Sequence, residues 1–438
     1  MTMAPFNMTE LLGRLMGNES VELLRRLGRL AFDRETSAYV VGGVVRDALL
    51  GIASQDLDIV VEEDGTGFAE SAAGELGGSV KAHTRFGTAI VVLPGGRKID
   101  VASARSESYE RPGALPTVAS GDVEQDLKRR DFTINSMAVS IAPAEFGELV
   151  DLYGGARDLE QGVLRVLTDR SFADDPTRVL RGVRFSARFG FPLEEDTERL
   201  LRQAVRDDAL STVSGERIMN EIELILKERE PWPAVERLAE WGILDSIQDG
   251  WNPGPGLRRA FERIDELGSD PRRSDAFALD HWWRVLFLAM IEPLEPRLRD
   301  AVLERLRAGR ALRDLAGALE TFETRARETL SSLEEPRPSA IYRSLAGIPH
   351  DVLALRTALE GESDLTRRTE LYISRLRVVR PSLDGGKLAE LGVPEGRAVG
   401  VILDRLLDAR LDGAVTDERE ERELAAELAK DLDALNNS

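Results

Sequence analysis

Apolar positions fall at helical spacing from about residue 8 to 32, where Leu11, Leu12, Leu15, Leu23, Leu24, Leu27 and Leu30 form one stripe. The pattern then shortens. SAYVVGG, LDIVVEE, GSVKAHT, TAIVVLP and KIDVASA are short runs rich in Val and Ile, bounded by Gly, Pro or Asp, and they predict strands. TGFAESAAGELG predicts a helix between the second and third of them. These segments describe a small α/β or α+β domain ending near residue 145. After DLYGGARDLEQG the period changes again. From about residue 172 onward almost everything reads as helix, with short Pro/Gly breaks such as Pro253–Gly256 and Pro336–Pro338. No fixed-period repeat interrupts this pattern.

The bulk numbers narrow the picture. A chain of 438 residues exceeds one compact core, so roughly two to four domains are expected. Hydrophobic residues at 42% and charged residues at 31% suit a soluble protein. No run of about 18 apolar residues predicts a membrane span, and the N-terminus carries no secretory pattern. Cysteine is absent, which excludes disulfides and thiolate metal sites, and a cytoplasmic location is the expectation. The net charge of −20 by itself argues against nucleic acid. A local Arg patch can nevertheless serve a phosphate backbone inside an acidic protein.

Candidate chemistry begins at VVGGVVRDALLG and QDLDIVV. Asp56 and Asp58 are one residue apart, so on a strand both point to one side and can hold a hard divalent cation such as Mg²⁺. Gly42 and Gly43 end an apolar run and open a helical one, where backbone N–H groups can cradle a phosphate. Carboxylates beside such a turn point to chemistry on a nucleoside triphosphate. A solvated acidic strand end is the competing reading of the two acids alone. Strand KIDVAS adds Asp100, a third carboxylate for a two-metal site or merely a strand-end acid. In DLKRRDFTINSMAV, Arg129, Arg130, Asp131 and Asn135 gather polar groups suited to phosphate and ribose. A helix capped by Asp131 behind a solvated basic turn explains the same residues. In FADDPTRVLRGVRFSARFGF, Asp175, Arg178, Arg181 and Arg184 recur every third residue and form a ridge on a helix. Asp174 or Asp175 suits the N-cap and Pro176 the first turn. Val179, Leu180, Val183 and Phe185 would bury the other faces, holding one acceptor and three forks rigid enough to match a base edge.

GGVVRD, DLD, RRDFTIN, DLYGGARDL and DDPTRVLRGVRF, in that order, resemble the bacterial tRNA nucleotidyltransferase and poly(A) polymerase family of the class II CCA-adding type. SGERIMNEIELIL, with Arg217 and Glu221, resembles its last motif, and LDGGKLAELGVPEGRAVGVILDRLLDARLDG its tail. The resemblance implies that Gly43 and Arg46, beside Gly42, hold the triphosphate and that Asp56 and Asp58 hold metal. It implies that Arg130 and Asn135 hold phosphate and ribose. Asp175 and Arg178 would read the base, with Arg181 and Arg184 contacting triphosphate or supporting them, and Gly154 and Gly155 would form a hinge. The family often has Glu where this chain has Asp174, which puts base choice in question.

The expected architecture is therefore α+β: a nucleotidyltransferase head with a small mixed β-sheet, followed by an elongated all-α neck, body and tail. The segments are a helical extension (1–35), head (36–150), neck with the nucleotide-selecting helix (151–230), body (231–380) and tRNA-binding tail (381–438). The expected activity is Mg²⁺-dependent addition of C and/or A to the tRNA 3′ end from CTP and ATP, with catalytic Asp56, Asp58 and Asp100. The partners would be tRNA, ATP and CTP, with no membrane and no obligate protein partner. A poly(A) polymerase, a CC-only or A-only enzyme, a small-molecule nucleotidyltransferase and a non-catalytic RNA-binding relative are the alternatives. The loop SESYERPGALPTVASG, at about 106–121, is expected to govern base preference. Gly392, Pro394 and Gly396 precede a helix and either offer N–H groups to a tRNA phosphate or form a plain turn. His83, His281 and His350 are too few and scattered for a metal-dependent phosphohydrolase, so DHWWR reads as core.

Overall fold

The computed structural model describes residues 7–53, 57–83, 87–279, 281–332 and 334–436. The chain forms two compact units, residues 1–249 and 250–438.

In the first unit, the predicted N-terminal helical stretch is split by Gly17 (φ 85°) into α1 (Thr9–Met16) and α2 (Asn18–Asp33). A seven-stranded sheet follows. Its strands are β1 (Ala38–Val41), β2 (Asp58–Val61), β3 (Ser79–His83), β4 (Thr88–Val92), β5 (Lys98–Ser103), β8 (Ala138–Ser140) and β9 (Leu149–Val150). They lie in the order β3-β4-β5-β2-β1-β8-β9. Only β2 and β5 pair in parallel; the other neighbours are antiparallel. All five strands expected from the Val/Ile runs form. The helix α3 (Gly43–Leu49) starts directly from the glycine turn after β1, and α4 (Gly65–Leu76) carries TGFAESAAGEL.

Register divides the sheet into two faces. Val40, Ile59, Val101, Ala89 and Val91 share one face and are buried. Phe68, Ala69 and Ala72 of α4 are buried as well. The opposite face carries Val41, Val60, Ala104 and Ala138, which pack with Leu127 of α5 (Val123–Lys128). A capping box between Asp122 and Gln125 starts α5.

The segment expected to be a loop contains a two-stranded hairpin, β6 (Arg105–Ser108) and β7 (Thr117–Ser120). Its strands bury no continuous face, with β7 exposed throughout, so no apolar alternation announced it. Beyond the sheet come α6 (Gly155–Gln161), α7 (Ser171–Asp174), α8 (Thr177–Phe189), α9 (Glu195–Arg206) and α10 (Gly215–Leu226). The helical character expected from about residue 172 is present.

In the second unit every described element is helical, from Leu257–Ser269 to Glu418–Asn436. Trp251, Phe277, Phe287 and Phe322 are buried in it. Trp283 is buried and Trp282 lies against Gly268, in keeping with a core reading, while Asp280 lies outside the described residues. Leu383, Leu388, Ile402, Leu406 and Ala425 form a separate small core. Glu421, fully buried, accepts the N–H groups of Ser382 and Leu383 at 2.7 and 3.1 Å and pairs with Arg410.

Candidate active site

Asp58 and Asp100 are register partners on the parallel strands β2 and β5, so both carboxylates leave the same face of the sheet. On this face the core that includes Leu127 of α5 draws on β1, β2, β5, β8 and β9. The Gly42–Gly43 turn lies at the same edge, because β1 runs antiparallel to β2 and ends where β2 begins. Asp56 lies outside the described residues, so its alignment with Asp58 is not part of this geometry. A cavity of about 280 Å³ stands over the acids, lined by Asp58, Asp100, Thr88 and Ile90 and closed on one side by Arg129 and Arg130.

Those two arginines are also a wall of a larger cleft of about 500 Å³. Gly42, Gly43, Arg46, Asn135, Asp175, Arg178 and Arg181 line it, as the motifs implied, together with Asp131, Phe185 and Arg217. A buried acid sets the arginine wall: Asp126 takes Arg129 at 2.6 Å and Arg130 at 3.0 Å. Asp126 sits three and four residues before its partners at the end of α5, a spacing present in DLKRR that the motif reading passes over. Gly42 (φ 75°, ψ −130°) lets the turn pass Arg130, whose Nη1 would stand 2.7 Å from any Cβ there.

A relay of ion pairs and hydrogen bonds runs along the cleft. Arg46 binds Asp47 at 2.7 Å and donates to Asn135 Oδ1 at 2.5 Å. Asn135 Nδ2 donates to Asp131 at 2.9 Å, and Arg181 closes on the other Asp131 oxygen at 2.7 Å. Arg181 and Arg184 both reach Glu221 of α10, at 3.3 and 3.2 Å. Burial pushes Asp131 up, but the Arg181 guanidinium and the bonds from Asn135 and the Phe132 N–H outweigh it and hold the carboxyl at about 2. Burial lowers Arg46, against the pull of Asp47. Burial also lowers Arg181, but Asp131 and Glu221 more than offset it and raise it above its usual value. The solvated-turn reading of RRDFTIN therefore fails: Asp131 is buried and serves Asn135 and Arg181 rather than capping a helix.

The ridge on α8 is not a solvated face either. Arg178 and Arg184 are buried, and Val179, Leu180 and Val183 are fully so. Asp175 accepts the Thr177 N–H at 3.1 Å, acting as the cap with Pro176 in the first turn. Its Oδ1 also takes Arg217 at 2.7 Å. Arg178 donates to Ser171 Oγ at 2.7 Å and to the Arg129 carbonyl at 2.6 Å. Asp174 does not touch Arg178; it pairs with Arg170 at 2.9 Å. Arg184 does not line the cleft and acts on it through Glu221. Gly154 adopts φ 76° at the start of α6, and a Cβ on Gly155 would meet the Thr133 carbonyl at 2.3 Å. Both glycines thus answer a local geometric need, and hinge motion is a separate matter.

The hairpin supplies cleft residues that the motifs did not indicate: Glu107, Tyr109 and Pro116. Glu107 accepts from Arg105, from Arg129 at 3.0 Å and from the Tyr109 hydroxyl at 2.9 Å. Burial and the Glu107 carboxylate push the Tyr109 phenol up, keeping it a neutral donor.

Among the described residues no set of three acids or histidines comes together. Asp58 and Asp100 are hard oxygen donors on one face of two adjacent strands, which fits a divalent cation such as Mg²⁺ and not a soft metal.

Residues 38–165 match the poly A polymerase head domain, and residues 190–253 match a domain described as the probable RNA and SrmB-binding site of polymerase A. The A-adding tRNA nucleotidyltransferase of Geobacter sulfurreducens is 38% identical over 96% of this chain, which spans 48% of that longer protein. The A-adding tRNA nucleotidyltransferase of Halalkalibacterium halodurans is 33% identical over 88% of this chain and 87% of its own length. Among solved structures, the Thermotoga maritima CCA-adding enzyme complexed with tRNA is 32% identical, with a TM-score of 0.75 over 98% of this chain and all of that one. No described helix is long and apolar enough to cross a membrane.

Proposed function

Because the chain belongs to the tRNA nucleotidyltransferase family built on the poly A polymerase head domain, we propose that it transfers adenylate from ATP to the 3′ end of tRNA and releases pyrophosphate. The observation that carries this reading is the 500 Å³ cleft, with a base-reading pair at one wall and the catalytic acids just beyond another. Adenylate is favoured over cytidylate because the relatives at 38% and 36% identity are A-adding enzymes, whereas at 33% identity both an A-adding and a CC-adding enzyme occur. Addition of C from CTP is the second reading, since cytosine offers the same pattern to the pair.

Both bases present an exocyclic amino donor beside a ring-nitrogen acceptor. Asp175 accepts from the amino group and Arg178 donates to the ring nitrogen; guanine and uracil reverse this pattern. Asp175 spends Oδ1 on Thr177 and Arg217, which leaves Oδ2 for the base. Each guanidinium nitrogen of Arg178 that binds protein retains a further N–H. The Gly42–Gly43 turn, Arg46 and Arg130 receive the triphosphate, and Asn135 the ribose. The buried Arg130 Nε lacks a partner among the described residues. Asp58 and Asp100, with Asp56, would hold Mg²⁺, which supplies charge neutralisation on the triphosphate and a lower pKa for the attacking hydroxyl. The acids need no protein base beside them. Residues 381–438 would grip the tRNA by shape and phosphate contacts, and Gly154 and Gly155 would absorb closure of the head.

The test is incorporation into tRNA ending before the two terminal cytidines, tRNA ending after them, and an unrelated RNA, with ATP and CTP supplied separately. A single A added only after the cytidines supports the proposal. Addition of C first assigns the second reading, and a long A tail on any RNA assigns a poly(A) polymerase.

A further inference from the structure

The face of the sheet that bears the acids extends well beyond them. Register places Lys81 of β3 beside Ile90 of β4, Ile90 beside Asp100 of β5, and Asp100 beside Asp58 of β2. Further along the same strands, Val92 of β4 stands beside Lys98 of β5. Lys81, Lys98 and Asp100 are exposed, and Thr88, Ile90 and Val92 are partly so, whereas Ala89, Val91, Ile99 and Val101 on the reverse face are buried. The core packed by α5 takes its sheet residues from β1, β2, β5, β8 and β9 and none from β3 or β4. The chain holds only six lysines against 52 arginines and a net charge of −20, yet two of the six flank Asp100 here. Neither makes an ion pair among the described residues.

We propose that this open face is the acceptor-strand site, with Lys81 and Lys98 binding phosphates near the 3′ end of the RNA and Thr88 and Ile90 lying under its last nucleotide. The inference rests on the nucleotidyltransferase reading above and gives its second substrate a place. Phosphoryl transfer needs the attacking oxygen and the leaving group on opposite sides of the transferred phosphorus. The sheet order fixes those sides. The glycine turn that receives the triphosphate follows β1, the acids stand on β2 and β5, and the open strands β4 and β3 lie beyond them. With pyrophosphate leaving over β1, the 3′ hydroxyl must arrive over β4. The bond from the 3′ oxygen to the α-phosphorus forms as the bond to pyrophosphate breaks, and the hydroxyl proton is lost to solvent. The cavity over the acids shares Arg129 and Arg130 with the nucleotide cleft. A third cavity of about 700 Å³ shares Asp100 and is lined by Arg97 and Lys98 together with residues 16–20 of the α1–α2 junction. Strands two apart are separated by roughly 10 Å, so the two ammonium groups can straddle a single RNA strand. The two lysines supply the positive charge that an RNA strand requires next to catalytic acids.

The test compares the full-length protein with Lys81→Ala, Lys98→Ala, the double variant, Lys98→Glu and the double Lys→Arg variant, using tRNA that ends in the two cytidines. The double Ala variant is expected to raise the KM for tRNA about tenfold, with kcat and the KM for ATP within about twofold of the parent. The slope of log Kd for tRNA against log salt should fall by roughly 0.7 for each phosphate that is no longer neutralised. Lys98→Glu should be worse, and Arg at both positions should restore binding. Unfolding midpoints will be unchanged if the exposed side chains carry no structural role. An unchanged tRNA KM and salt slope would overturn the inference, as would a defect confined to ATP. A parent protein that extends no tRNA at all defeats the reading of function instead.

Discussion

Arg217 of α10 holds Oδ1 of Asp175 at 2.7 Å, from a helix 42 residues further along the chain. The bond fixes the carboxylate plane that faces the cleft while the Thr177 N–H and hydroxyl fix the same oxygen from below. On the proposed function, Arg217 therefore positions the base acceptor. Replacing Arg217 with Ala leaves Asp175 tethered by Thr177 but free to tilt. A well-made base contact is worth about 1–3 kcal/mol of discrimination, so the preference for ATP over GTP should fall about tenfold. Competitive incorporation of the two nucleotides measures it, and Arg217→Lys should recover part of the loss. An unchanged preference would mean that Asp175 is oriented by Thr177 alone.

The acids make a separate prediction. Asp58→Asn and Asp100→Asn keep shape and remove charge at the paired positions of β2 and β5. Loss of about 4 kcal/mol of transition-state stabilisation corresponds to roughly a thousandfold drop in incorporation. Affinity for tRNA and the unfolding midpoint should change little, because Asp58 and Asp100 stand at the edge of a cavity and not in the core. Incorporation at parental rates in either variant removes that residue from the catalytic set.

Asp131 sets an acid limit. Its carboxyl is held at about 2 in the folded protein, below the ordinary value of 3.8. A depressed carboxylate stabilises the fold above the unfolded pKa, and that stability is lost as pH falls through the folded one. Between about pH 4 and pH 2 the parent should lose the Arg181–Asp131 pair, together with the Asn135 orientation that depends on it. Asp131→Ala should lose about 2 kcal/mol at neutral pH, since Arg181 keeps Glu221 as a partner and is about a third exposed. It should also flatten the acid limb of stability against pH, as followed by denaturant titration.

Much of the head was legible because its signals are local. A Val/Ile run bounded by Gly or Asp predicts a strand wherever it later pairs, and β1 to β5 all formed where such runs occur. The ridge Asp175, Arg178, Arg181 was visible because three-residue spacing survives folding into α8. What the sequence could not convey was where each arginine fork is spent. Arg178 ends on the Arg129 carbonyl, 49 residues away, and Arg184 on Glu221, 37 residues away. Those partners depend on tertiary contacts between α8, α10 and the end of α5. The hairpin was missed for the opposite reason. With a polar exposed strand it has no period to read, and Glu107 and Tyr109 become meaningful only once Arg129 lies against them. The parallel pairing that sets Asp100 beside Asp58 also lies beyond a one-dimensional pattern, although the two strands themselves did not.

The two glycines after β1 looked equivalent in the sequence, and the structure separates them. Gly42 has φ 75° and ψ −130°, a region closed to residues with a Cβ, and that Cβ would stand 2.7 Å from Arg130 Nη1. Gly43 is already helical, and a Cβ there would meet only the end of Arg46, at 3.4 Å. Gly42→Ala should therefore cost about 1–3 kcal/mol of stability. By moving Arg130 it should also raise the KM for ATP more than that for tRNA. Gly43→Ala should be near neutral in stability, because Ala suits the first turn of α3 and the Arg46 side chain can yield a few tenths of an ångström. Thermal unfolding and ATP saturation curves of the two variants side by side make the comparison. Equal effects from both substitutions would show that the turn is set by its fit to the triphosphate and not by the backbone of Gly42.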